Sequence, residues 1–333
     1  MAGDVSGAGR PRPVGRRDVL RWASLAALPP MLLIAGCDIR LEDDAPALPL
    51  LQRRSVPDES LLVDTVRRTT ALAQLAGRIP GPSAAVVGLA GLHSTQAEVL
   101  RGRLVAAGVP NHVIDAPTPT SSGSTQPGSA SPTAAVSAPP AATEADLASA
   151  EGAATAALLP GLPTVTAANR AVLTSVAAAC GTAADQLGGS VAWPLSDPLP
   201  ASAALPLLED TRAAQYALVV VAAQTSGAQR SQALTTHTRL VERETELVTL
   251  AGASAPPASL GYALPFPVAD ADAAGRLAAQ VLARLVSSGL APLPSLPMGS
   301  MSVVPLVRLV VGAAAIARPW GVAGAPFPGL AYP

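Results

Sequence analysis

The chain has 333 residues, enough for two modest domains with buried cores, and a formal net charge of −1. It is rich in Ala, Leu and Val, only 2% aromatic, and its 22 basic residues are all Arg. This composition suits helices packed through small and aliphatic side chains and disfavours a β-sandwich. It also offers no basic field for nucleic acid, which is set aside as a partner.

The N-terminal stretch carries an export pattern. Gly15-Arg16-Arg17-Asp18-Val19-Leu20-Arg21 resembles a twin-arginine translocation signal, and an apolar stretch from Trp22 to Gly36 follows. That stretch is shorter than the ~20 residues needed to span a bilayer and suits a signal core. It ends Ile34-Ala35-Gly36-Cys37, which resembles a lipobox in which Cys37 receives the diacylglycerol. Residues 1–36 therefore read as a cleaved signal peptide and 37–57 as a tether. The implied partners are the twin-arginine translocase, the lipoprotein signal peptidase and the membrane. The implied location is extracytoplasmic, with the protein anchored to the cell membrane by acyl chains. The second cysteine, Cys180, lies within a helix and reads as a small buried hydrophobe, so no disulfide framework is expected.

Beyond the tether the chain reads as all-α, with about eight helices in two bundles at 58–193 and 203–333. A first helix starts after Pro57-Asp58-Glu59 and runs to Gly77; a second spans Ser83–Ala107, stopped by Gly108 and Pro110. Residues 115–142 are rich in Pro, Ser, Thr, Ala and Gly and read as an exposed, flexible insert. Thr143-Glu144-Ala145-Asp146 opens a third helix to Leu159, and a fourth covers Val165–Leu187 up to Gly188-Gly189. Gly88 and Gly91, inside the second helix, are read as points of close helix packing.

The second bundle repeats the plan, with helices over Leu205–Thr225, Gln229–Ala251, Asp270–Ser287 and Met301–Ala317. In the sixth helix Leu234, Val241 and Val248 recur every seven residues beside Leu240 and Leu247, marking one apolar stripe with His237 and Glu244 at its border. The eighth is apolar apart from Arg308, with Pro305 in its first turn. It is expected to be the most buried helix, being too short and too charged for a membrane span. His93, Glu98 and Gly108 keep the same mutual spacings as His237, Glu242 and Gly252, which suggests an internal duplication of a four-helix unit.

Three pieces carry a family resemblance: the helix with His237-Thr238-Arg239 and Arg243, the run Tyr262-Ala263-Leu264-Pro265-Phe266-Pro267-Val268, and the closing Pro326-Phe327-Pro328-Gly329-Leu330. Over about Ala203–Leu330 the chain resembles an actinobacterial family of ferritin-like domains of unknown function. The resemblance implies tandem ferritin-like four-helix bundles rather than an activity. Where that family commonly shows a Glu-His pair on its first helix, this chain has Gln215-Tyr216.

A ferritin-type di-metal centre needs carboxylates and a Glu-x-x-His on each of two helices, because residues three apart share a face. Leu234 and Ala90 stand three before His237 and His93, so the motif is missing from both, and no cofactor is expected. No residue is assigned a catalytic role and none a metal. The candidate polar site is His237, Glu244 and His93. The leading expectation is a non-catalytic structural or binding protein of the cell envelope. Its alternative is a metal- or redox-linked enzyme using His237 and Glu244, and a solute-binding lipoprotein, which would call for strands, is a third.

Overall fold

A computed structural model describes residues 53–116 and 141–330. The export motif, Cys37 and nearly all of the Pro/Ser/Thr-rich insert lie outside the described residues. The described residues contain helices and no strand: α1 (Glu59–Gly77), α2 (Ala84–Ala106), α3 (Asn111–Ile114), α4 (Glu144–Leu158), α5 (Ala167–Gln186), α6 (Ala201–Gln224), α7 (Gly227–Ala251), α8 (Ala271–Ser287) and α9 (Val303–Ala317). Eight match the expected helices closely. The four-residue α3 is an addition, and α6 begins at Ala201 rather than Leu205. Pro206 therefore lies inside α6, on its exposed side near the start.

Local chemistry sets the helix ends. Thr143 and Asp146 form a reciprocal capping box at α4: the Thr143 hydroxyl accepts from Asp146 N at 3.1 Å, and the Asp146 carboxylate accepts from Thr143 N at 2.9 Å. Ser83 caps α2 and Asp270 caps α8, the latter accepting from Ala273 N at 2.7 Å. Gly108 (φ 86°) follows α2 and Gly252 (φ 55°) caps α7, both with positive φ, but Gly252 also opens a short 3-10 turn, Gly252–Ser254, so the two ends are built differently.

Two apolar cores result. The larger is built by α1, α2, α4 and α5, with Ala203, Ala204, Leu207 and Leu208 of α6, Leu247 and Ala251 of α7, and Val303–Val310 of α9. The smaller lies among the C-terminal parts of α6 and α9, Ala233 and Leu240 of α7, and Ala274–Leu285 of α8. α6, α7 and α9 thus contribute to both. α5 is as central as α9, being buried without a break from Val172 to Gly181. Its small side chains permit that: a Cβ on Gly181 would come within 2.9 Å of Val311 Cγ2. On α4, a Cβ on Gly152 would come within 2.2 Å of Ser190 O. Gly88 and Gly91, in contrast, are exposed with nothing near them, so close packing does not explain them.

Two further expectations are corrected. The buried stripe of α7 is Ala233, Thr236, Leu240, Arg243, Leu247 and Ala251, whereas Leu234 and Val241 are 51% and 40% exposed. The heptad series runs along one side of the core line and not on it. The segment Val303–Trp320 is apolar enough to cross a membrane by composition, yet over half of it is buried against the other helices. Its one charge within α9, Arg308, stacks over the Trp193 ring at 5.2 Å.

Candidate functional site

The sequence-predicted pair His237 and Glu244 does not form a site. His237 is half-buried and makes no hydrogen bond or ion pair among the described residues. Glu244, two helical turns on, faces α6 instead. There Arg212 Nε donates to its Oε1 at 2.6 Å and Gln215 Nε2 to its Oε2 at 2.9 Å. Gln215 therefore serves as a donor to a carboxylate. Arg243 turns inward, donating to Thr211 Oγ1 at 3.3 Å and to Leu309 O at 2.7 Å. Burial lowers its pKa to about 10, Glu246 partly opposing, so it stays a cation at neutral pH.

The structure does bring groups together around His93. His93 is fully buried on α2, and its Nε2 lies 2.5 Å from Oε1 of Glu151, which is fully buried on α4. On the other side of the ring Nδ1 lies 2.9 Å from Gln96 Oε1, one turn further along α2. Gln96 Nε2 donates to Pro326 O at 2.6 Å. A backbone carbonyl only accepts, so the Gln96 amide nitrogen faces Pro326 and its oxygen faces His93. The His93 Nδ1 therefore carries a hydrogen, and a single proton is shared between Nε2 and Glu151.

Cys180 on α5 completes the cluster. One ligand-type atom from each of His93, Glu151 and Cys180 lies within 4.8 Å of the others. Burial pushes the Cys180 thiol well above its ordinary value, and the neighbouring Glu151 carboxylate adds to the shift. A thiol so held stays protonated and is a poor nucleophile. The second oxygen, Glu151 Oε2, is buried without a hydrogen-bond partner.

The closing segment covers this cluster. Besides Pro326 O, Pro328 O accepts from Ser175 Oγ at 2.7 Å, and Phe327 is 3% exposed in the larger core. A cavity of about 40 Å³ borders Leu92, Ala179 and Pro328, residues that flank two members of the cluster or their cover. A larger cavity, about 430 Å³, lies between α6, α8 and the Tyr262–Pro265 run, with Asp210 and Arg284 on its wall.

Of the three candidate residues, then, only His93 enters a buried polar cluster. Glu151, Cys180 and Gln96 were missed as its partners. Gln96 carried a local signal, three residues from His93 on the same helical face. Glu151 carried another, as a lone acid in the Ala-rich stretch Leu147–Leu158.

Residues 203–332 match a family described as a domain of unknown function, DUF4439. No curated protein and no solved structure matches the chain. The family match covers α6–α9 and the closing segment. It excludes the helices that carry His93, Glu151 and Cys180, while including the Pro326 carbonyl that holds Gln96.

Proposed function

We propose that this is an exported, lipid-anchored protein of the cell envelope whose two helical bundles, ferritin-like in plan, serve a structural or binding role. The observation that carries this reading is the ordered N-terminal pattern: Arg16-Arg17, an apolar stretch, then Ile34-Ala35-Gly36-Cys37. Two acyl chains at Cys37 hold a protein firmly, where one would hold it marginally. The twin-arginine translocase and the lipoprotein signal peptidase are its partners in export, and the membrane its lasting one. The two-hairpin plan of each half supports the ferritin-like description. A structural role for Glu244 is supported by its bonds to Arg212 and Gln215, which hold α7 to α6.

A metal-linked reading also has an observation in its favour, though at a different place from the one expected. The buried His93–Glu151–Cys180 cluster favours it, and His237 with Glu244 does not. The envelope reading is tested by Cys37→Ala in a secreting host. The variant is expected to leave the membrane fraction for the soluble one. Unchanged membrane fractionation would sink it.

A further inference from the structure

We propose that His93, Glu151 and Cys180 are the protein ligands of one buried divalent transition-metal ion of the zinc or cobalt type. The inference is independent of the anchor and of where the protein resides.

Three helices converge to present it: α2 gives the imidazole, α4 the carboxylate and α5 the thiol. A buried His–Glu pair alone would be an ordinary core contact. Two features go beyond that. The first is Glu151 Oε2, fully buried and without a well-aligned hydrogen-bond partner, the Cys180 thiol being the polar group closest at hand to its carboxyl. The second is the support behind the ring. Gln96 Oε1 takes the Nδ1 hydrogen and is itself fixed by Pro326 O, which leaves Nε2 as the nitrogen turned toward Glu151. Metal-bound histidines are held in this way, with the far ring nitrogen donating to an oriented acceptor.

The spacing fits with small movements. Tetrahedral zinc, with bonds of about 2.0–2.3 Å, sets its ligand atoms about 3.3–3.8 Å apart. The His93–Glu151 contact of 2.5 Å would open when the ion replaces the shared proton. The thiol, within 4.8 Å, would close by about 1 Å. The donor set of one nitrogen, one oxygen and one sulfur selects borderline ions such as zinc and cobalt over magnesium or calcium, which take oxygens.

Charge balances as well. Without metal the pair shares one proton and the thiol is neutral, so the cluster has no net charge. With a divalent ion the imidazole is neutral and the carboxylate and thiolate are each −1, so the net charge is again zero. Two protons leave for each ion that enters, and the interior is spared an uncompensated charge.

The test uses the full chain with Cys37 replaced by Ser, so that Cys180 is its sole thiol. The protein is unfolded with a chelator under reducing conditions and refolded with cobalt(II). The expected result is one cobalt per chain with a thiolate-to-cobalt charge-transfer band, displaced by zinc, with two protons released. Cys180→Ala and Glu151→Gln are expected to abolish the band, His237→Ala to leave it intact, and Gln96→Ala to weaken affinity about 10–100-fold. A refolded, helical parent protein that shows no such band would overturn the proposal, even if the Cys180 and Glu151 variants failed to fold. So would a band and stoichiometry unchanged by Cys180→Ala.

Discussion

The two halves of the chain start from the same helical plan and place their polar groups in opposite ways. In the first half His93 is fully buried and meets Glu151 and Cys180 from neighbouring helices. In the second half His237, at the matching register, is half-buried and unpaired among the described residues. Counting from the helix caps Thr143 and Asp270, Ala278 holds the place of Glu151; counting from Thr166 and Ser302, Ile316 holds that of Cys180. Both replacements are buried in the smaller core. One bundle therefore keeps a polar centre where its counterpart is filled with apolar side chains. The second half moves its acid, Glu244, to the α6–α7 seam, where side-chain donors from α6 satisfy it. A shared helical plan thus does not dictate a shared site.

The sharpest way to break this comparison is to remove one member of each cluster. Glu151→Ala strands a buried imidazole and is expected to cost about 3–5 kcal/mol in denaturant unfolding. A loss below about 1 kcal/mol would mean that the first-half cluster is not a buried, coupled unit. Arg243 provides the next contrast, as a buried cation hydrogen-bonded to a hydroxyl and a carbonyl, with Nη2 unpartnered. Arg243→Met, similar in reach and apolar, is expected to leave stability unchanged or raise it by about 1 kcal/mol. A large drop in Tm would instead assign that guanidinium a stabilising role.

The Arg212–Glu244 pair is expected to be weaker than the first-half pair. Its side chains are 9% and 22% exposed, and a double-mutant cycle is expected to return about 1 kcal/mol of coupling, falling with added salt. The smallest effect lies at the start of α4. The Thr143 hydroxyl, then the Thr143 backbone N–H, hold the Asp146 carboxyl below its ordinary value. The unfolded chain therefore takes up the proton first as pH falls, so this contribution is present above the ordinary Asp range and lost as pH drops through the folded value. Asp146→Asn is expected to flatten the acid arm of the stability curve slightly, and an unchanged arm would remove the capping box from the account.

Much of the helical plan was legible in advance, because Pro, Gly and capping residues bracket Ala-rich runs. Thr143 and Asp146 announce α4, and Gly108 and Gly252 end α2 and α7. The α7 core line was not legible, since Thr236 and Arg243 lie on it and an apolar count skips both in favour of the exposed Leu234 and Val241. The site was legible only as His93. Its partner Glu151 is 58 residues away, beyond the Pro/Ser/Thr-rich insert, and only packing brings α2, α4 and α5 together. Local spacing carries no record of that convergence. The same holds for the closing Pro326–Leu330, whose Pro326 and Pro328 carbonyls hold side chains of the other half.

The most direct measurement is a pair of double-mutant cycles by denaturant unfolding, His93→Ala with Glu151→Ala and His237→Ala with Glu244→Ala. The expected result is a coupling of about 3 kcal/mol or less, but above 1, for the buried pair and none beyond about 0.3–0.5 kcal/mol for the second. Equal couplings, or the larger one at His237 and Glu244, would contradict the view that the first half alone holds the polar centre.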